Sequence, residues 1–349
     1  MTIFDMDFEA FADRVRHDHG KGASAAADIY RSFYRSGEAG LDRLPPQLKH
    51  RSWLREVQNH LMLPPAAIAD QKVDGGVTKV IFRLSDGHHI ETVIVPMDRY
   101  ATVCVSSQVG CRMGCRFCET AAIGFRRNLS ASEIVYQVFA ARHHLEVPVK
   151  NIVFMGMGEP LDNVDAVIKA IDVVKDQRGL NIAERNITLS TSGRIDGIQY
   201  LAGIRRPHIR IAVSLNAPND DVRSKLMPIN RRYPMAPLKD ALLGYPLKPD
   251  NHIVIEYVLI DGVNDLACHA DELADYLSGL PVKVNLIPCN PGPASPYQPP
   301  PAEAIESFRK RLVANRLFVR MRRTKGRALM AACGQLGRGF GSGTGRPSI

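Results

Sequence analysis

From Thr102 onward the chain alternates short β-branched runs with amphipathic helical stretches, and this alternation limits the possible folds more than any other feature. The runs cover residues 102–105, 152–155, 187–189, 209–215, 253–260 and 282–287. Helical patterns at 130–144, 164–175, 236–243 and 271–277 lie between them. Parallel strands need long crossovers, and a helix is the usual one. Six such units predict a closed or partial α/β barrel. A doubly wound open sheet is the alternative, because periodicity does not separate the two. In both architectures the chemistry is expected at the C-terminal ends of the strands.

The flanking regions read differently. Residues 1 to about 70 carry helical periodicity, with Phe8, Phe11 and Val15 on one stripe and Ile29 and Phe33 on another. Gly37 and Gly40 interrupt it, and Pro45 and Pro46 open a further helical segment through Trp53 and Val57. In residues 78–95, Val80, Phe82 and Leu84 alternate with polar neighbours, Asp86-Gly87 supplies a turn and Ile90 to Val95 returns, which predicts a β-hairpin. The expected division is a helical accessory domain (1–75), a β-hairpin extension (76–98), the barrel core (99–336) and a Gly-rich flexible tail (337–349).

The formal net charge of +9 makes a polyanion, above all nucleic acid, a plausible partner. The acidic, amphipathic start lacks the basic n-region and apolar run of a signal peptide. No stretch reaches membrane-spanning length, so a cytoplasmic protein with no membrane partner is expected. Seven unevenly spaced cysteines in a chain without a secretion signal favour metal or redox chemistry over a disulfide framework.

Three of those cysteines stand together. Cys111, Cys115 and Cys118 have C-x3-C-x2-C spacing on a loop with Gly110 and Gly114, directly after the first barrel strand. Glycines let the backbone turn tightly enough for three thiolates to face one soft metal centre. A [4Fe–4S] cluster takes four ligands. Three from the protein leave one iron open to the amino and carboxyl groups of S-adenosylmethionine. A structural zinc site is the competing reading, but it normally closes with a fourth Cys or His.

Motifs beyond the triad carry a resemblance. They are CVSSQVGC (104–111), GMGEPL (156–161), TLSTSG (188–193), SLNAPND (214–220), NLIPCNP (285–291) and AACGQL (331–336). In this order they resemble the RlmN/Cfr family of radical SAM RNA methyltransferases over nearly the whole chain. The resemblance implies a partial (β/α)6 radical-SAM barrel and methylation of an adenine ring carbon, C2 or C8, in 23S ribosomal RNA and in some members tRNA. It implies Cys111, Cys115 and Cys118 as cluster ligands. Gly158, Glu159, Ser190, Ser214, Leu215, Asn216 and Asn290 become cofactor contacts. Cys333 corresponds to the cysteine that is itself methylated, Cys104 to the thiol that resolves the enzyme–RNA adduct and leaves a disulfide, and Glu91 to the proton acceptor. Two S-adenosylmethionine molecules per turnover, a flavodoxin- or ferredoxin-like electron donor and a monomeric enzyme complete the expectation. Cys268 and Cys289 match no cluster position and read as structural.

The densest basic run comprises Arg309, Lys310, Arg311, Arg316, Arg320, Arg322, Arg323, Lys325 and Arg327, a candidate phosphate-binding surface. Two departures from the family pattern bear on substrate choice. Arg327, Ala328, Leu329 and Met330 replace an acidic stretch before the methylated cysteine, and Asn216 stands where relatives have histidine. A radical SAM methylase of a small molecule or peptide is therefore the second reading, and a non-catalytic zinc or RNA-binding module the third.

Overall fold

The computed structural model describes residues 2–37, 42, 44, 48, 52–249, 251–292, 295–322, 329–330 and 333–337. Pro45, Pro46, Gly40, Arg323, Lys325, Arg327, Ala328 and the tail beyond Gly337 lie outside that set, and with them the sequence expectations placed there.

Three helices begin the chain: α1 (Phe8–His19), α2 (Ala23–Ser36) and α3 (Ser52–Leu61). Asp7 caps α1 by accepting from the Ala10 amide, and Gly20 ends it in the left-handed region. Next comes an antiparallel extension, β1 (Ala66–Asp74), β2 (Val77–Leu84) and β3 (His89–Pro96). The β2–β3 hairpin turns at Asp86-Gly87 as the sequence predicts, with Thr78 opposite Ile94 and Arg83 opposite His89. Strand β1 falls partly within the stretch read as helical. It is an edge strand whose side chains are mostly exposed, so its sequence lacks the apolar alternation that marks a half-buried strand.

The barrel follows. Strand β4 (Ala101–Cys104) leads into the cysteine loop, which carries the two-stranded ladder β5 (Gln108–Val109) and β6 (Arg127–Asn128) around α4 (Glu119–Ile123). Then come α5 (Ala131–His143), β7 (Val149–Phe154), α6 (Val164–Lys175), β8 (Ile187–Thr191), α7 (Ile195–Gly203) and β9 (Arg210–Ser214). The last elements are α8 (Asp220–Leu226), α9 (Met235–Leu243), β10 (Ile253–Leu259), α10 (Ala267–Leu277), β11 (Val282–Pro288), α11 (Ala302–Ala314) and β12 (Val319–Met321). One ten-stranded sheet runs β1-β2-β3-β4-β7-β8-β9-β10-β11-β12. It is antiparallel as far as β4 and parallel from β4 to β12. The six expected runs are therefore all strands, and β12 adds a seventh parallel strand. Among the described residues β12 does not pair with β1, which makes this a partial barrel.

Inward-facing positions follow the two-residue period: Thr102 and Cys104, Val153 and Met155, Thr188 and Ser190, Val254 and Glu256, Asn285 and Ile287 all line the interior. Outside, α5 is buried from Ala131 to Ala141. The N-terminal helices cover the side of α5 that faces away from the sheet. Phe4 meets Phe33, Tyr34, Tyr136 and Phe139 with ring centroids 5.1–6.2 Å apart, contacts worth about 0.5–1.5 kcal/mol each beyond burial. The Asp5 carboxylate accepts from the Ser132 amide at 3.1 Å, and Asp176 from the Phe8 amide at 2.8 Å.

Candidate active site

Loop geometry explains how three cysteines come to one wall. Gly110 has φ +74°, and a Cβ there would stand 1.7 Å from the Gly124 carbonyl oxygen, so only glycine lets the ladder close under the loop. The Arg116 amide donates to the Leu226 carbonyl at 2.9 Å and the Cys118 amide to the Cys115 carbonyl at 3.1 Å. Cys111, Cys115 and Cys118 then line one cavity at the C-terminal ends of the strands. Burial pushes all three thiols up, Cys111 to about 12. Among the described residues no three His, Cys, Asp or Glu side chains converge as a single ion requires. A cubane spreads its cysteines over separate irons and needs no such convergence. Three thiols on one wall of a shared cavity, with serine, asparagine and glutamate side chains among its other lining residues, fit a cluster with an open position.

The opposite walls hold the expected cofactor residues. Gly158, Glu159, Ser190, Ser214, Asn216 and Asn290 line the same cavity. Gly158 has φ +104°, and a Cβ there would meet the Gln108 Cβ at 2.6 Å, so this turn too requires glycine. The Glu159 carboxylate is buried, which raises its pKa. It accepts from the Leu161 amide at 3.1 Å and from the Ser192 amide and hydroxyl at 2.7 and 2.8 Å. The Thr191 side chain is a further partner, so this carboxylate is held from several sides at the cavity wall. Asn216 sits at φ +56°, with its Oδ1 accepting from the Val258 amide at 2.9 Å. Leu215 is the exception. Its side chain is fully buried in the core and does not line the cavity, and its amide donates to the Glu256 carbonyl at 3.0 Å.

A second cavity lies in the barrel interior below the first, lined by Val93 and Val95 of β3, by Thr102 and Cys104 of β4, and by the inward residues of later strands. Met155, Glu256, Ile287, Asn290, Arg322 and Cys333 line both cavities and form the partition between them. Cys333 is solvent-exposed there. Its loop is stapled to the cluster loop: the Gly334 carbonyl accepts from the Glu119 amide at 2.7 Å and the Leu336 carbonyl from the Thr120 hydroxyl at 2.8 Å. Cys104 is raised to about 12, first by burial and then by the neighbouring Cys333. The two thiols thus share one chamber. All seven cysteines are free, which corrects the expected disulfide: the two thiols stand reduced in this structure. Glu91 lines neither cavity. It is fully buried on β3, with Lys79 3.4 Å from its Oε1.

Several residues here were not singled out in the sequence. Glu256 lies inside a run read only as apolar, although an ionisable residue in a strand buried on both faces was itself the signal. Arg223 is completely buried and donates to Asn230 Oδ1 at 2.7 Å and to the Ser192 carbonyl at 2.6 Å, behind the residue that holds Glu159. Cys289, read as structural, is buried but lines the first cavity, whereas Cys268 is exposed on α10. Among the described residues the basic run is divided. Arg309 pairs with Glu306 and Arg311 with Asp271 at 2.7 and 2.5 Å, and Arg322 belongs to the partition. Lys310, Arg316 and Arg320 are exposed.

The fold and this cysteine wall define a radical SAM enzyme, and the Radical SAM superfamily profile matches residues 105–277. The chain is 41% identical to a probable dual-specificity RNA methyltransferase RlmN 1 of Protochlamydia amoebophila, over 97% of this chain and 94% of that one. It is 42% identical to the dual-specificity RNA methyltransferase RlmN of Syntrophus aciditrophicus, over 96% of each. The crystal structure of a radical SAM methyltransferase from Sphaerobacter thermophilus superposes with a TM-score of 0.89 at 40% identity, covering 96% of this chain and 99% of that one. This chain belongs to the RlmN/Cfr family of radical SAM RNA methyltransferases. Membership implies a [4Fe–4S] cluster, S-adenosylmethionine and an RNA substrate. No helix among the described residues is long and apolar enough to cross a membrane.

Proposed function

We propose that the enzyme methylates a ring carbon, C2 or C8, of an adenine in 23S ribosomal RNA, and of an adenine in tRNA as a second substrate, through a methyl group carried on Cys333. The observation that carries this reading is the place of Cys333 in the partition. One cavity beside it holds the cluster cysteines and the other holds Cys104. A carrier thiol must be reachable from the side that supplies the methyl group and from the side that accepts it.

In this reading Cys111, Cys115 and Cys118 hold the cluster. Gly158, Glu159, Ser190, Ser214, Asn216 and Asn290 hold S-adenosylmethionine, with Leu215 contributing backbone only. When bound, these groups supply the methyl group and the carbon-centred radical chemistry of the class, with two cofactor molecules used per turnover. Cys333 carries the carbon to the base and Cys104 resolves the adduct; the family pattern gives the ring proton to Glu91, which here is buried beside Lys79 outside both cavities. A base inside a duplex must be flipped out to reach such a site. The enzyme works as a cytoplasmic monomer supplied with electrons by a flavodoxin- or ferredoxin-like donor.

The test uses enzyme loaded anaerobically with iron and sulfide and given methyl-labelled S-adenosylmethionine. Label should appear on the tryptic peptide 328–338, whose one cysteine is Cys333, and then on adenine in RNA. Labelled RNA with no label ever on Cys333 would reject the carrier role. Mapping modified nucleotides in RNA from a deletion strain decides the target, and an unchanged RNA would turn attention to a small molecule or peptide.

A further inference from the structure

We propose that Arg322 is the cation that stabilises the Cys333 thiolate, and that Glu256 and Met155 hold its guanidinium in place. The proposal rests on the carrier role of Cys333. A thiol is a poor nucleophile and a thiolate a good one, so a carrier cysteine must ionise before it can take a carbon.

The partition is poorly suited to ionisation without help. Cys333 keeps exposed surface, but the protein atoms packed around its sulfur take solvation from the thiolate and raise the thiol, and the Glu256 carboxylate raises it further. Arg322 is the charge that opposes both. It follows β12, where its amide donates to the Leu286 carbonyl at 2.9 Å and so fixes the start of the side chain against β11. Its Nη1 stands 3.6 Å from Glu256 Oε1 and 3.8 Å from the Met155 sulfur. Glu256 is fixed in turn, since Asn285 Nδ2 donates to the same Oε1 at 2.9 Å. Its other oxygen, Oε2, is buried without a hydrogen-bond partner. A carboxylate left half satisfied is a weak anchor unless a cation stands beside it, and Arg322 is that cation.

Two other ionisable groups lie near Cys333 or its loop. Cys104 on β4 is a neutral thiol at working pH. Lys79 on β2 reaches the Met330 carbonyl of the Cys333 loop at 3.5 Å but is engaged by Glu91 on β3. Among the described residues Arg322 is therefore the cation left for the carrier thiol, and the two line both cavities together. It lies within the electrostatic reach of Cys104 as well, lowering both thiols. When Cys333 ionises, its S–H bond breaks and the proton passes to the water that reaches this exposed residue. The negative charge on sulfur is then met by the guanidinium.

The test reads the thiol directly. Full-length protein is produced under iron limitation so that Cys333 is unmodified, then loaded anaerobically with iron and sulfide. Alkylation by iodoacetamide, an uncharged reagent, is followed at pH 8 in peptide 328–338. Arg322→Gln should slow alkylation of Cys333 about tenfold or more, the scale of losing one charge at close range, and Arg322→Lys should restore most of the rate. Should Arg322→Gln fail to load iron, the same comparison of wild type, Arg322→Gln and Arg322→Lys is made on cluster-free protein. An Arg322→Gln protein that alkylates at the wild-type rate, or an Arg322→Lys protein that is as slow as Arg322→Gln, overturns the proposal. Absence of methyl label on Cys333 in wild-type enzyme would instead overturn the carrier role, and the alkylation rates would still report on Arg322.

Discussion

Lys79 and Glu91 face each other across the β2–β3 hairpin, 3.4 Å apart, with both side chains buried. Their strands are registered Lys79 to Val93 and Ile81 to Glu91, so the pair is diagonal, and Lys79 extends to the Met330 carbonyl as well. This contact joins the antiparallel extension to the loop that carries Cys333.

Removing Lys79 takes a cation away from a buried carboxylate. Lys79→Met should cost about 3–5 kcal/mol of stability, measured by denaturant unfolding. The Lys79→Met/Glu91→Leu double variant should recover most of it. Equal losses in the single and double variants would show that the pair is not coupled.

Iron content separates the cavity cysteines. Alanine at Cys111, Cys115 or Cys118 should abolish cluster loading, whereas Cys289→Ala and Cys333→Ala should load to the wild-type level. Absorbance and iron analysis after anaerobic reconstitution check this. Stoichiometric zinc with no iron uptake would restore the structural-zinc reading.

The two thiols of the lower chamber should fail differently. Cys333→Ala should form neither product nor covalent RNA complex. Cys104→Ala should accumulate a protein–RNA adduct, visible by denaturing electrophoresis. Normal turnover by Cys104→Ala with no adduct rejects the two-thiol route.

Salt titration sorts the basic run. Charge reversal at the exposed Lys310, Arg316 and Arg320 should weaken RNA binding, with the log–log salt slope falling by about 0.9 for each phosphate no longer neutralised. Reversal at Arg309 or Arg311, already paired within the protein, should change it less. Identical slopes throughout would move the RNA surface elsewhere.

For Cys104, raised to about 12 in the folded protein, the folded state keeps a proton that the unfolded chain releases near the ordinary cysteine value of about 8.5. Stability linked to this thiol is full below that value and is lost as pH rises toward 12. Cluster-free wild-type protein should therefore lose more stability between pH 8 and 10 than cluster-free Cys104→Ala. Parallel pH profiles would count against it.

The barrel was legible because its strands are short, β-branched and separated by helices, and the cluster ligands because three cysteines share one glycine-bearing loop. Strand β1 was not, since an exposed edge strand has no apolar face to reveal it. Arg322 was read as part of a basic surface because its neighbours in sequence are basic. Its direction is set by the β11–β12 pairing, a tertiary fact. Glu256 and Arg223 were passed over for a related reason. Their partners lie on other strands and loops, and a single sequence does not say which buried charges meet.

The six-residue partition also bears on how such a protein diversifies. The cluster-side wall is built from the cysteine loop and the ends of the parallel strands, whereas Val93, Val95, Met97, Thr102 and Cys104 face only the lower chamber. A change in the shape of the lower chamber reaches the cluster-side wall most directly through Met155, Glu256, Ile287, Asn290, Arg322 and Cys333, which line both. A substitution at any of these six reshapes two chambers at once, whereas one at Val93 or Met97 starts in the lower chamber alone.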